Sequence, residues 1–295
     1  MPWRKGGHFR ALEEQEARGR TREIYDDIKQ QLGVPLVSPV FQAYAAFPTF
    51  LELFWEQMRP AVQAAQFYSL GDRLRADGYT RMHNYFQIPT FAEAFAGETG
   101  RQDLDQVQNL VKLFHYMDPL LLLMLMALTQ AFAKAVGHVH AKSGPIEHPV
   151  LYDVPHIVSE QTAPPQVKAI YADIKHTFGT QILSSAYQAM GSFPVFLESY
   201  WKALKPIAES ALYSETHAGI RQTAWSLARE FPAQIELPLD DLAPENEVAG
   251  VARITEMFIE SLSRTVLNVA LAKIGLEHGT SRVSAPIQSR PPQAA

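Results

Sequence analysis

The most chemically loaded stretch of this 295-residue sequence is FHYMDP, Phe114 to Pro119. It sets an imidazole, a phenol and a carboxylate (His115, Tyr116, Asp118) just ahead of the apolar run PLLLLMLMAL. Such a trio could exchange protons with a bound substrate. Asp followed by Pro is also how helices start, and Asp118 as N-cap with Pro119 at N1 would commit the carboxylate to free backbone N–H groups. At a helix start its pKa is pushed down, which makes Asp118 a weak base. The histidines are a second set: His138 and His140, then His148 and His156 in a proline-rich stretch. They could chelate a metal, but histidines in a connecting segment are usually only solvated, so no metal is expected. The third set is the serines of S-x-x-[FY]-Q-A, which occurs twice, at Ser38 and at Ser184-Ser185. Two helix starts brought together would offer N–H groups and positive dipole ends to a substrate carboxylate, although capping is the simpler use of each serine.

These residues sit in a sequence that is written twice. FQAYAAFPTFLELFW from Phe41 and YQAMGSFPVFLESYW from Tyr187 align at an offset of 187 − 41 = 146. IYDDIKQQLG from Ile24 and IYADIKHTFG from Ile170 align at the same offset. Farther on, FYS at Phe67 answers LYS at Leu212, and the helix-like run at Leu110 answers the one at Ile254, with offsets drifting by one or two. Apolar residues recur at three- and four-residue spacing (Ile24, Ile28, Leu32; Phe47, Phe50, Leu51, Phe54), which predicts amphipathic helices and no sheet. Phe47, Trp55, Phe193 and Trp201 read most simply as core, and Pro60 and Pro206 should end or bend matched helices. The expected organisation is all-α: repeat 1 over residues 1–139, a Pro-rich linker over 140–165, repeat 2 over 166–278 and a loose tail over 279–295. Unlike a solenoid unit, each copy is long, so the two should pack as an intramolecular pseudo-dimer with a small-ligand pocket between them.

Composition narrows the function. A formal charge of −5 without a basic stripe argues against nucleic acid, and the absence of cysteine excludes thiolate, disulfide and zinc-thiolate chemistry. The apolar run falls short of the roughly 20 residues of a membrane span. The charged start does not read as a signal peptide, so a cytoplasmic protein is expected. No nucleotide, zinc-protease, hydrolase-elbow or calcium motif occurs, and no cofactor is expected.

The order IYxDIK, VP, FQAxxxFPxFLxxxW and FxYxxPxxLLLxxAL, in two degenerate copies, resembles the group I 2-haloacid dehalogenases, which act on both enantiomers. The likeness runs from Ile24 to about Val269. It implies an all-helical fold, a small carboxylic acid as substrate, and an aspartate-activated water that displaces halide with inversion. It also implies departures. The water-activating aspartate maps to Ala186, between Ser185 and Tyr187; the supporting threonine and glutamate map to Ala64 and Tyr68. Two pocket aromatics map to Leu36 and Pro39, and an asparagine maps to Asp118, whose charge would repel a haloacid's carboxylate. The expected site is therefore Leu36, Ser38, Pro39, Asp118, Ser185, Ala186 and Tyr187. Its protein is a divergent dehalogenase-like hydrolase, or alternatively a non-catalytic small-carboxylate binder or helical scaffold. A homodimer is compatible with either.

Overall fold

The computed structural model describes residues 11–133, 152–233, 235 and 245–278, with side chains from 248 in the last segment, and the backbone of residues 3–4 and 8–9. Trp3–Arg4 and His8–Phe9 pair as a minimal antiparallel ladder. Everything else regular is helical: α1 Gly19–Leu32, α2 Pro39–Tyr44, α3 Pro48–Val62, α4 Ala65–Tyr85, α5 Ala92–Thr99, α6 Arg101–Phe132, α7 Pro165–Phe178, α8 Ser185–Met190, α9 Pro194–Ala208, α10 Ala211–Ala228 and α11 Glu245–Glu277. The three- and four-residue spacing is what the core reads, since Ile24, Ile28 and Leu32 of α1 and Phe50, Leu51 and Phe54 of α3 are all buried.

The halves repeat their contacts as well as their letters. Tyr25 Oη donates to the Leu12 carbonyl at 2.8 Å and Tyr171 Oη to that of Val158 at 3.1 Å. The indole N–H groups of Trp55 and Trp201 donate to Asp27 and Asp173, each at 2.8 Å. Lys29 pairs with Glu14 as Lys175 pairs with Glu160. Helices α1 and α7 both end at a left-handed glycine, Gly33 at φ 66° and Gly179 at φ 59°, a conformation a side chain would strain. Because Val158 and Glu160 mirror Leu12 and Glu14, residues 158–165 belong structurally with the second copy. The boundary expected at 139/140, His138, His140, His148 and the 279–295 tail lie outside the described residues. Pro60 and Pro206 sit in the last turn of α3 and α9, which continue to Val62 and Ala208. A proline there removes only one helical hydrogen bond before the helix stops in any case.

Helices α6 and α11, one from each repeat, form the most extensive contact, and α4 and α10 flank both. The short helices cross over: α2 of the first repeat lies on α11, and α8 of the second lies on α6. Tyr44 at the end of α2 shares a 2.6 Å hydrogen bond with Thr255 of α11. By length and hydropathy α6 could cross a membrane, being longer than its apolar run suggested, but 89% of its most apolar window is buried in the fold.

Equivalent contacts should carry equivalent energy. Trp55→Phe and Trp201→Phe, which delete one indole N–H each, are expected to lower stability by a similar amount, about 1 kcal/mol. Urea titration of the two variants checks this, and a loss confined to one would show that the matched contacts are not energetically matched.

Candidate functional site

Asp118 is not a helix start. Helix α6 begins seventeen residues earlier, after Gly100 at φ 103°, and runs through Pro119. The local Asp-Pro signal yields because the residues on both sides of it, from Leu113 to Leu128 with the exception of His115, are buried by long-range packing. Asp118 is therefore 2% exposed in the middle of a buried helix, and its Oδ2 has no hydrogen-bond partner among the described residues. Burial holds its pKa well above the ordinary carboxylate value, opposite to the lowered value expected for an N-cap.

Helix α8, which carries Ala186 and Tyr187, packs on α6. Burial raises the Tyr187 phenol's pKa, and the Asp118 charge adds a smaller effect in the same direction. A hub lies behind Tyr187. Asn268 of α11 donates from its amide to Tyr187 Oη at 2.7 Å, accepts from Tyr213 Oη at 2.7 Å, and its backbone carbonyl accepts from Tyr200 Oη at 3.0 Å. All four residues are buried. The first copy has phenylalanine at the matched places, Phe41 for Tyr187 and Phe54 for Tyr200. Helices α4 and α10 start at Ala65 and Ala211, an offset of 211 − 65 = 146, which sets buried Phe67 opposite buried Tyr213. That moves the FYS/LYS pairing by one position: Leu212, its expected partner, is exposed. The hydroxyls are thus confined to one half of the duplication.

Tyr187 and Asn268 line a cavity of about 20 Å³ with Thr180, Ser184, Arg264 and Thr265. That volume accommodates roughly one water. A separate, wider groove of about 570 Å³ lies on another surface, between Asp103, Asn109, Asp153, His156 and Ser192.

The other expected residues divide. Ser184 caps α8, its Oγ accepting from Ala186 N–H at 3.3 Å, whereas Ser38 makes no side-chain cap bond at α2. Both helices are six residues long, and α2 rests on α11 whereas α8 rests on α6. Leu36 and Ser38 are buried and Pro39 half-buried, at the α2 side of the fold; Ser185 is buried at the first position of α8. Ala64 precedes α4, and the Tyr68 hydroxyl lies 2.8 and 2.9 Å from the carbonyls of Gln31 and Val62. Tyr116 donates to the Leu32 carbonyl at 2.9 Å and stacks on Tyr152, a packing role. His115 is half-buried near Tyr79, its pKa pushed down to about 3 by desolvation and by the charges of Arg75 and Lys273, and is neutral. His156 is exposed, and no group of three or more metal-ligating side chains occurs among the described residues. Asn268 and Arg264 went unnoticed in the sequence; a lone amide inside the apolar run TVLNVALA was the available signal.

With this geometry in view, comparison with known proteins defines the class. The fold is that of the all-α 2-haloacid dehalogenases: a D-2-haloacid dehalogenase mutant in complex with D-2-CPA superposes with a TM-score of 0.84 at 26% identity, covering 90% of this chain and 95% of that one. A D-2-haloacid dehalogenase with L-LA matches equally well. Residues 35–187, just over half of the chain, match the family described as halocarboxylic acid dehydrogenase DehI, and the chain belongs to that family. Relatives include an (R)-2-haloacid dehalogenase of Pseudomonas putida, 27% identical over 88% of this chain and 90% of that protein. A configuration-inverting 2-haloacid dehalogenase of Pseudomonas sp. (strain 113) is 22% identical over 92% and 90%. Because enzymes named for the (R) or D form stand among these matches, the narrower group I label drawn from the sequence gives way to the broader family.

Asp118 should leave a signature in stability. Between the ordinary carboxylate pKa near 4 and its raised folded value, the native chain holds a proton that the unfolded chain releases, so stability falls as pH climbs through that window. Asp118→Asn is expected to remove this part of the slope, measured as the wild-type minus variant difference in urea stability between about pH 4.5 and 8.

Proposed function

We propose that this protein hydrolyses small 2-halocarboxylic acids in a site between the repeats, where α8 meets α6, with Asp118 as proton acceptor in place of the residue missing at Ala186. The observation that supports this is the buried Asp118 carboxyl, one oxygen of which has no partner among the described residues, on the helix against which α8 packs, in a chain of this family. Water activation needs the ionised form, which Asp118 reaches by releasing its proton to solvent before the substrate enters, and a carboxylate of raised pKa is then a stronger base than an ordinary one. Water oxygen then bonds to the 2-carbon, the carbon–halogen bond breaks with its electron pair leaving on halide, and a water proton passes to Asp118. In-line displacement inverts the carbon.

The alanine methyl at 186 and the one-water cavity favour a second reading, a protein that binds small carboxylates or merely packs its interface without turnover. Chloride release from each enantiomer of 2-chloropropionate separates them. Release is expected from the native chain, rising with pH as Asp118 ionises, and about 100-fold or more slower in Asp118→Asn. Measurable release ends the non-catalytic reading. No release from the native chain or from Ala186→Asp, with no melting-temperature shift on adding small carboxylates, ends both.

A further inference from the structure

We propose that the groove between the first turns of α6 and residues 153–156 is a second binding site, which takes a small organic cation: an ammonium group on a compact apolar body. This goes beyond the hydrolytic reading and does not rest on it, because none of Asp118, Ala186 and Tyr187 lines the groove.

Its size is that of a ligand site. The groove encloses about 570 Å³, inside the range of about 300–1,000 Å³ usual for small-molecule pockets. Its walls are fixed in advance. Asp103, Gln106 and Leu110 recur at three- and four-residue spacing and so share one face of α6. The other wall is held at both ends: Tyr152, just before Asp153, stacks on Tyr116 of α6, and the His156 carbonyl accepts from Ser192 Oγ at 2.9 Å. Walls already in place lose little freedom when a ligand binds. The duplication shows that this place departs from the common plan. Ser192 stands where the first copy has Ala46, and Phe193 is half-buried where its counterpart Phe47 is 2% exposed. The second copy thus presents to the groove a ring that the first keeps in its core.

Charge chooses the occupant. Asp103 and Asp153 line opposite walls, and neither is held in an ion pair among the described residues. No lysine or arginine lines the groove. A carboxylate in a helix's first turn has a structural use, and Asp103 has it; Asp153 lies outside every helix and has none. Two uncompensated negative charges repel an acid and attract a cation, and the formal charge of −5 on the chain adds to that preference. The side-chain carbonyls of Gln106 and Asn109 are further acceptors for ammonium N–H groups. The apolar part of the lining is Leu110, Val154, Pro155 and Phe193. Val154 is 74% exposed, which leaves apolar surface for the ligand's body to cover, and the face of the Phe193 ring attracts a cation. A bare metal ion would leave that surface unused, and no group of three or more metal-ligating side chains occurs among the described residues.

The probe is 2-phenylethylamine, an ammonium ion at neutral pH, with 3-phenylpropionate and 2-phenylethanol as its anionic and neutral counterparts. Titration calorimetry of the full chain at low ionic strength should show saturable binding of the amine, and binding about tenfold weaker or less for both counterparts. Asp103→Asn and Asp153→Asn should each weaken the amine about two- to fivefold, and the double variant about tenfold, as exposed charges do. Asp105→Asn removes an equal charge from an exposed position of α6 outside the groove and should leave binding unchanged. No amine binding by the native chain, equal binding of the acid or the alcohol, or unchanged binding in the double variant overturns the proposal. Equal weakening by Asp105→Asn and Asp103→Asn also overturns it, because the attraction would then be to net charge and not to the groove.

Discussion

Packing α6 against α11 at the centre of the fold removes both helices from water along most of their length, so each polar side chain they carry must find a partner inside the protein. Asn268 does so fully, through Tyr187, Tyr213 and the carbonyl that receives Tyr200. Thr255 does so through Tyr44. Asp118 Oδ2 has no partner among the described residues, and burial holds the carboxyl's pKa well above the ordinary value.

The short helices cross over: α8 of the second copy lies on the long helix of the first, which carries Asp118, and the Tyr187 phenol on α8 feels the Asp118 charge. The duplicated scaffold supplies matched supports, the Trp–Asp hydrogen bonds and the Lys–Glu pairs, and the copies differ in the hydroxyls they carry. Adding a hydroxyl at Tyr187, Tyr200 and Tyr213 to rings that are Phe41, Phe54 and Phe67 in the first copy changes ring volume little. It installs a hydrogen-bonded cluster on one side only.

The sequence by itself determined the helices and their duplication. Apolar spacing, the prolines at positions 48 and 194, and glycines 33 and 179 act over a few residues, and letters 146 apart fold alike because the same local forces act on them. It also pointed to Asp118 and Tyr187. What it misjudged was the setting of Asp118: a helix-start signal is local, and only burial of α6 by α4, α10 and α11 overrides it and reverses the sign of the pKa shift. Nor could it show that three tyrosines from separate helices meet one asparagine, or that Arg264 faces a cavity. Those facts depend on contacts between residues as far as 81 positions apart, and separation along a chain carries no record of direction in space.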